Sequence, residues 1–115
     1  MNIKKLIGDK GERKVANRYR LKGYSIIARN FSCKLGELDI VAQKGNTIVI
    51  VEVKTRKNAD FAQARESVDY RKQSRIKNTT NIFLQNNKFT EYNIRFDVAE
   101  VYTESSTMHI IENAF

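Results

Sequence analysis

Apolar residues recur along this chain with two different periods. Between Glu37 and Arg56 they crowd into two runs, ELDIVAQ (37–43) and IVIVEVKTR (48–56), separated by KGNT (44–47). Both runs are rich in β-branched residues and the connector carries a Gly-Asn turn signal, so the segment predicts a β-hairpin. Upstream, GDKGERKVANRYRLKGY has helical spacing. Glu12, Val15, Ala16 and Tyr19 fall on one stripe of a helix from about Asp9 to Lys22, with Asp9 as its N-cap and Gly23 as its left-handed terminator. A second helix is predicted from near Asp69 to about Gln85, its inner face formed by Gln73, Ile76, Thr80, Phe83 and Leu84. YSIIAR (24–29) and YNIRFDVAEVY (92–102) read as further strands, and MHIIENAF as a short closing strand with an apolar tail. NFSCKLG (30–36) reads as a loop, and the polar stretch 57–68 as irregular at first.

The resulting order, α-β-β-β-α-β with one further short strand at the end, predicts an α/β domain with a mixed sheet of four to five strands flanked by helices. One helix lies between the third and fourth strands, which implies a right-handed crossover and a parallel pair there. At 115 residues, with no proline and no linker-like stretch, the chain reads as a single domain over 1–115.

The hairpin makes a geometric prediction. A turn on Gly45-Asn46, or a four-residue loop over 44–47, pairs residues whose numbers add to 91, which sets Asp39 opposite Glu52 and Glu37 opposite Lys54, all four on one face; a three-residue loop would instead set Asp39 opposite Val51 and turn the charges to the other side. The reverse face then pairs Leu38 with Val53, Ile40 with Val51 and Ala42 with Val49. Two carboxylates directly opposed across a sheet repel, so something must offset them. A divalent cation between Asp39 and Glu52 does so, and hard oxygen ligands favour Mg²⁺ or Mn²⁺. Lys54, one strand step past Glu52 on the same face, is near enough to act on a water held there. Glu12, arriving from the first helix, can add a carboxylate through water.

Several of these residues carry a plainer reading. Glu52 and Lys54 alone would make an exposed ion pair of little worth. Glu12 also completes an Asp9-x-x-Glu12 capping box. Glu37 serves as the cross-strand partner of Lys54, Gln73 as a helix opener, and Asp97 as a partner of Arg95 or Arg56. His109 and Cys33 lack companions for chemistry.

Charge sharpens the picture. The net +8 is unevenly spread: residues 1–36 carry +8, 37–60 are balanced, 61–90 carry +4 and 91–115 carry −4. A positive surface around a small acidic focus suits a polyanionic partner. The lone cysteine rules out an intramolecular disulfide and fits a reducing cytoplasm. No apolar run approaches the roughly 18 residues of a membrane span, and the N-terminus has no signal-like segment.

GERKVANRYRLKGYSIIARNF, GELDIVAQKGNTIVIVEVKTR, VDYRKQSRI, RFDVAEVY and the terminal NAF together resemble the YraN family of small bacterial proteins. That family is similar to Holliday junction resolvases and to the PD-(D/E)xK nuclease superfamily. The resemblance implies a restriction-endonuclease-like core, an Mg²⁺-dependent endonuclease acting on DNA (with RNA a further candidate), and a homodimer. It implies that Asp39, Glu52 and the backbone carbonyl of Val53 hold the metal, that Lys54 and Glu12 join in catalysis, and that Glu37 and Gln73 support them. Leu38 stands where the motif has proline, and Phe31-Ser32 where many relatives have tryptophan. Lys14, Arg18, Arg56, Lys57, Lys72 and Arg75 are then expected to grip the nucleic-acid backbone. The competing expectation is a non-catalytic nucleic-acid-binding or assembly protein that keeps the scaffold. The tail Ala114-Phe115 is expected to dock on its own sheet rather than to serve a dimer.

Overall fold

Residues 2–58 and 68–115 are described in the computed structural model. The elements are α1 (Ile3–Leu21), β1 (Ser25–Cys33), β2 (Gly36–Lys44), β3 (Thr47–Arg56), α2 (Tyr70–Asn86), β4 (Asn93–Tyr102) and β5 (Thr107–Ile111). The strands form one sheet in the order β1-β2-β3-β4-β5. β3 and β4 run parallel and the other neighbours antiparallel. A mixed five-stranded sheet flanked by two helices is consistent with a restriction-endonuclease-like fold.

The continuous apolar run of β3 is explained by burial on both sides. Val49 and Val51 pack with Ile40, Ala42 and the α1 residues Val15, Ala16 and Tyr19. Ile48 and Ile50 pack with Val41, Val98 and the α2 residues Ile76 and Phe83. α1 ends as its sequence predicts: Gly23 adopts φ 92°, its N–H donates to the Arg20 carbonyl, and the Tyr24 N–H reaches back to the Tyr19 carbonyl. α2 starts at the predicted cap, where the Asp69 carboxylate accepts the Lys72 N–H at 2.9 Å. The tail docks on its own sheet, with the Ala114 N–H on the Phe96 carbonyl and Phe115 stacked on Phe96 at 5.1 Å between centroids.

Three expectations are corrected. α1 begins six residues earlier than Asp9, because Asn2 supplies the cap by accepting the Lys4 N–H at 2.9 Å. Asp9 is therefore inside the helix, and the capping-box reading of Glu12 falls with it. The segment 30–36 is mostly strand: β1 continues to Cys33 and pairs Phe31 with Leu38 and Ser32 with Glu37. Asn30 at φ 53° allows this by turning the chain, so that Phe31 leaves the alternation and packs edge-on against Phe83 at 5.2 Å. Leu38 likewise faces α2 beside Val41, not the reverse face beside Ile40. Lys57 and Asn58 form a bend, and 59–67, within the stretch read as irregular, lies outside the described residues.

Candidate active site

The 91 register holds from Lys44–Thr47 to Ile40–Val51. At Asp39 the direct ladder stops, and the side chain takes over: Asp39 Oδ2 accepts the Val53 N–H at 2.8 Å. β2 and β3 part at this point, and the carboxylate sits in the opening. The sequence placed Asp39 opposite Glu52 in an unbroken ladder. The structure keeps the two near one another but puts the aspartate at a splay.

A cavity of about 410 Å³ opens on the α2 side and is lined by Gly36, Glu37, Asp39, Glu52, Lys72, Arg75 and Ile76. Glu52 is 7% exposed and its Oε1 lies 3.4 Å from Lys54 Nζ and 3.3 Å from Lys72 Nζ. Lys72, expected only as a backbone contact, thus stands at the acidic focus. Glu37 joins the cavity, but among the described residues it forms no ion pair with Lys54, because the strands have separated.

Asp39 also borders a second cavity, of about 390 Å³, on the α1 side, with Lys4, Ile7, Gly8, Glu12, Val53 and Thr55. What brings Glu12 there is its neighbour. Gly11 lies so close to the Thr55 hydroxyl that any added Cβ would collide with it, which seats α1 directly on β3. Glu12 faces Arg29 at 3.7 Å, and its Oε1 is buried without a hydrogen-bond partner among the described residues. Arg29 and Asn30, which surround Glu12, were not singled out by the sequence. They become visible only once Asn30 is known to turn the strand.

The electrostatics follow from this crowding. Burial, reinforced by the charge of Glu52 and opposed by the Val53 N–H, pushes the Asp39 carboxyl up to about 7. Burial also raises Glu12, against the pull of Arg29. Lys54 is lowered, first by burial and then by Lys72 beside it. Glu37, Asp39 and Glu52 share the α2-side cavity and Asp39 and Glu12 the α1-side one, so Asp39 is crowded by carboxylates on both sides of the sheet, while the ion pairs of Lys54 and Lys72 are with Glu52.

The remaining predicted residues are more dispersed. Gln73 donates its amide to the Val68 carbonyl at 3.0 Å, so it fastens the start of α2 and stands outside the cavity. Arg75 lines the cavity. Arg56 turns back on the Thr55 carbonyl at 3.1 Å, while Lys57, Lys14 and Arg18 are exposed. Asp97 pairs with Arg95 at 2.9 Å and accepts the Tyr19 hydroxyl at 2.6 Å, away from the site. Among the described residues no three His, Cys, Asp or Glu side chains form a complete metal cage, so a cation here would need backbone or water oxygens besides Asp39 and Glu52.

The chain as a whole matches known sequences. The profile of the uncharacterised protein family UPF0102 matches residues 11–101. The chain belongs to this family, the YraN family. A UPF0102 protein of Caldicellulosiruptor saccharolyticus is 43% identical over 116 residues, covering 97% of this chain and 98% of the relative. One from Caldanaerobacter subterraneus subsp. tengcongensis is 41% identical, covering 97% and 96%. One from Alkaliphilus metalliredigens is 39% identical, covering 98% and 100%. The UPF0102 match begins at Gly11, the residue that seats Glu12, and ends at Val101 in β4. No described helix is long and apolar enough to cross a membrane.

Proposed function

We propose that this UPF0102 protein is a metal-dependent nuclease that hydrolyses phosphodiester bonds of DNA, with structured or branched DNA as the substrate class. The observation that carries the reading is the splay itself: Asp39 and Glu52 border one cavity, and Lys54 and Lys72 both stand on the inner carboxylate. The donor set fits Mg²⁺ or Mn²⁺, because it is all oxygen and its crowded anions are relieved by a divalent cation. Asp39 and Glu52, with the Val53 carbonyl, would hold the ion. Bound there, it would lower the pKa of a water and neutralise charge developing on the phosphate.

The chain's own residues account for the rest. Lys54 is buried beside Glu52 and offers an ammonium to the phosphoryl oxygens as negative charge grows on them. Arg75 and Lys72, at the rim of the cavity, hold the substrate phosphate in place. In the hydrolysis, the water oxygen bonds to phosphorus, one bridging P–O bond breaks, and the leaving oxygen gains a proton. Glu12 or Glu37 organises the water around it. Phosphate contacts of this kind position a substrate without reading its sequence.

A second reading, a nucleic-acid-binding protein without catalysis, is favoured by one observation: two ammonium groups already neutralise Glu52. Incubating linear, flapped and four-way DNA and structured RNA with Mg²⁺ or Mn²⁺ separates the two. The nuclease reading expects cleavage by the wild type and none by Asp39→Ala or Lys54→Ala. A folded wild type that cuts none of them, or variants that cut equally fast, would leave only the binding reading.

A further inference from the structure

We propose that the groove between α1 and the β4–β5 turn is a phosphodiester-binding channel that leads a nucleic-acid strand away from the candidate active site, with Lys10, Lys14 and Arg18 as its anion contacts. The cavities adjoin one another along this face. A cavity of about 200 Å³ shares Ile7 and Thr55 with the cavity that holds Asp39, and shares Lys14, Val101 and Ser106 with a further cavity of about 570 Å³. Lys10, Lys14 and Arg18 recur every fourth residue, so they form one stripe along α1 with a rise of about 6 Å per step.

The two walls suit an anion. Across from the stripe, Thr103, Ser106 and Thr107 bring hydroxyl groups to the groove, and among the described residues no Asp or Glu lines either of its two cavities. The carboxylate of Glu104, in the same turn, is held by the Asn58 amide at 3.3 Å and does not line the groove. The cavities around Asp39 are lined in contrast by carboxylates. Acid in the middle and unopposed cations along the exit is the division of labour a bound strand would need.

The stripe is also costly without a partner. Like charges at i and i+4 destabilise a helix, and among the described residues none of Lys10, Lys14 and Arg18 is in an ion pair. An external polyanion supplies the missing counter-charge. At the far end Leu21, 86% exposed, and Met108 offer apolar surface to sugar and base. DNA and RNA backbones share the chemistry the groove recognises, so both are probes. The proposal rests on the nuclease reading for its direction, and its test does not.

The test is fluorescence anisotropy of labelled single-stranded DNA and RNA and of a DNA duplex, in EDTA, over a sodium chloride series. Replacing Lys10, Lys14 and Arg18 by Ala together is expected to flatten the slope of log K against log salt by about 2 for a single strand and by nearly 3 for a duplex. Lys34→Ala with Lys88→Ala, off the groove, should leave the slope as in the wild type. Ser106→Asp, which puts a carboxylate on the opposite wall, should weaken binding at low salt while leaving the fold intact by circular dichroism. A triple variant with the wild-type slope, an equal loss per cation in the Lys34/Lys88 control, an unaffected Ser106→Asp or a wild type that binds none of the probes overturns the channel. Wild-type protein that cuts nothing, combined with the expected slope change, overturns the nuclease reading and leaves the channel standing.

Discussion

Neutralising Asp39 should make the protein more stable at alkaline pH. Its carboxyl is pushed up to about 7 by burial and by Glu52, whereas in an unfolded chain it titrates near its ordinary value. Between those two pH values the folded protein therefore holds a proton that the unfolded chain has released. Stability attributable to this group is fullest at low pH, declines as pH rises from about 4 to about 7, and is lowest above that. At 1.36 kcal/mol per pH unit the whole interval is worth about 4 kcal/mol, and residual water access brings the expectation to roughly 2–4 kcal/mol. Asp39→Asn keeps an oxygen to accept the Val53 N–H and removes the charge. Urea unfolding in EDTA should show the variant close to wild type near pH 4.5 and more stable by that amount near pH 8, a large share of the roughly 5–15 kcal/mol of an ordinary domain. A stability difference that does not change with pH, or a wild type that is the more stable near pH 8, would refute the reasoning.

Other parts of the structure make their own predictions. Gly11→Ala should destabilise by about 1–3 kcal/mol despite alanine's better helix propensity, because the new Cβ meets the Thr55 hydroxyl, and adding Thr55→Ala should recover most of the loss in a double-mutant cycle followed by thermal melting. Asp97→Asn should cost about 3–5 kcal/mol in urea unfolding, since Asp97 is fully buried and accepts from Arg95, Tyr19 and the Asn113 N–H. Mg²⁺ or Mn²⁺ at a hundred times its dissociation constant should stabilise the wild type by about 2.7 kcal/mol, seen as a rise in Tm that is absent from a variant carrying both Asp39→Asn and Glu52→Gln.

What the sequence revealed, and what it hid, divides on a physical line. The hairpin was legible from the Gly45-Asn46 turn signal between two β-rich runs, and of the two registers the sequence allowed the structure takes the one that pairs Lys44 with Thr47 and Ile40 with Val51. α2 was legible because Asp69 is a strong cap ahead of a clear apolar stripe. The start of α1 was not. Its first turns carry Ile3, Leu6 and Ile7, which are 71%, 50% and 43% exposed, so no buried stripe announces them. The site's finer geometry was hidden for a different reason. Alternation assumes that a ladder continues, whereas here Asn30 turns β1 and the Asp39 side chain replaces a ladder contact. The acids were named correctly as neighbours, but the splay that holds them, and the placing of Arg29 and Lys72 against Glu12 and Glu52, depend on tertiary contacts that no local pattern encodes.

Under the nuclease proposal, Lys54 acts on the reacting phosphate beside a cation held by Asp39 and Glu52. The direct measurement is the single-turnover rate of DNA cleavage in Mg²⁺ by the wild type and by Lys54→Met, with binding of the same substrate measured in parallel. Lys54→Met should cut the rate about 100-fold or more with little change in affinity. Equal rates, or a wild type that binds the substrate and leaves every bond intact, would contradict it.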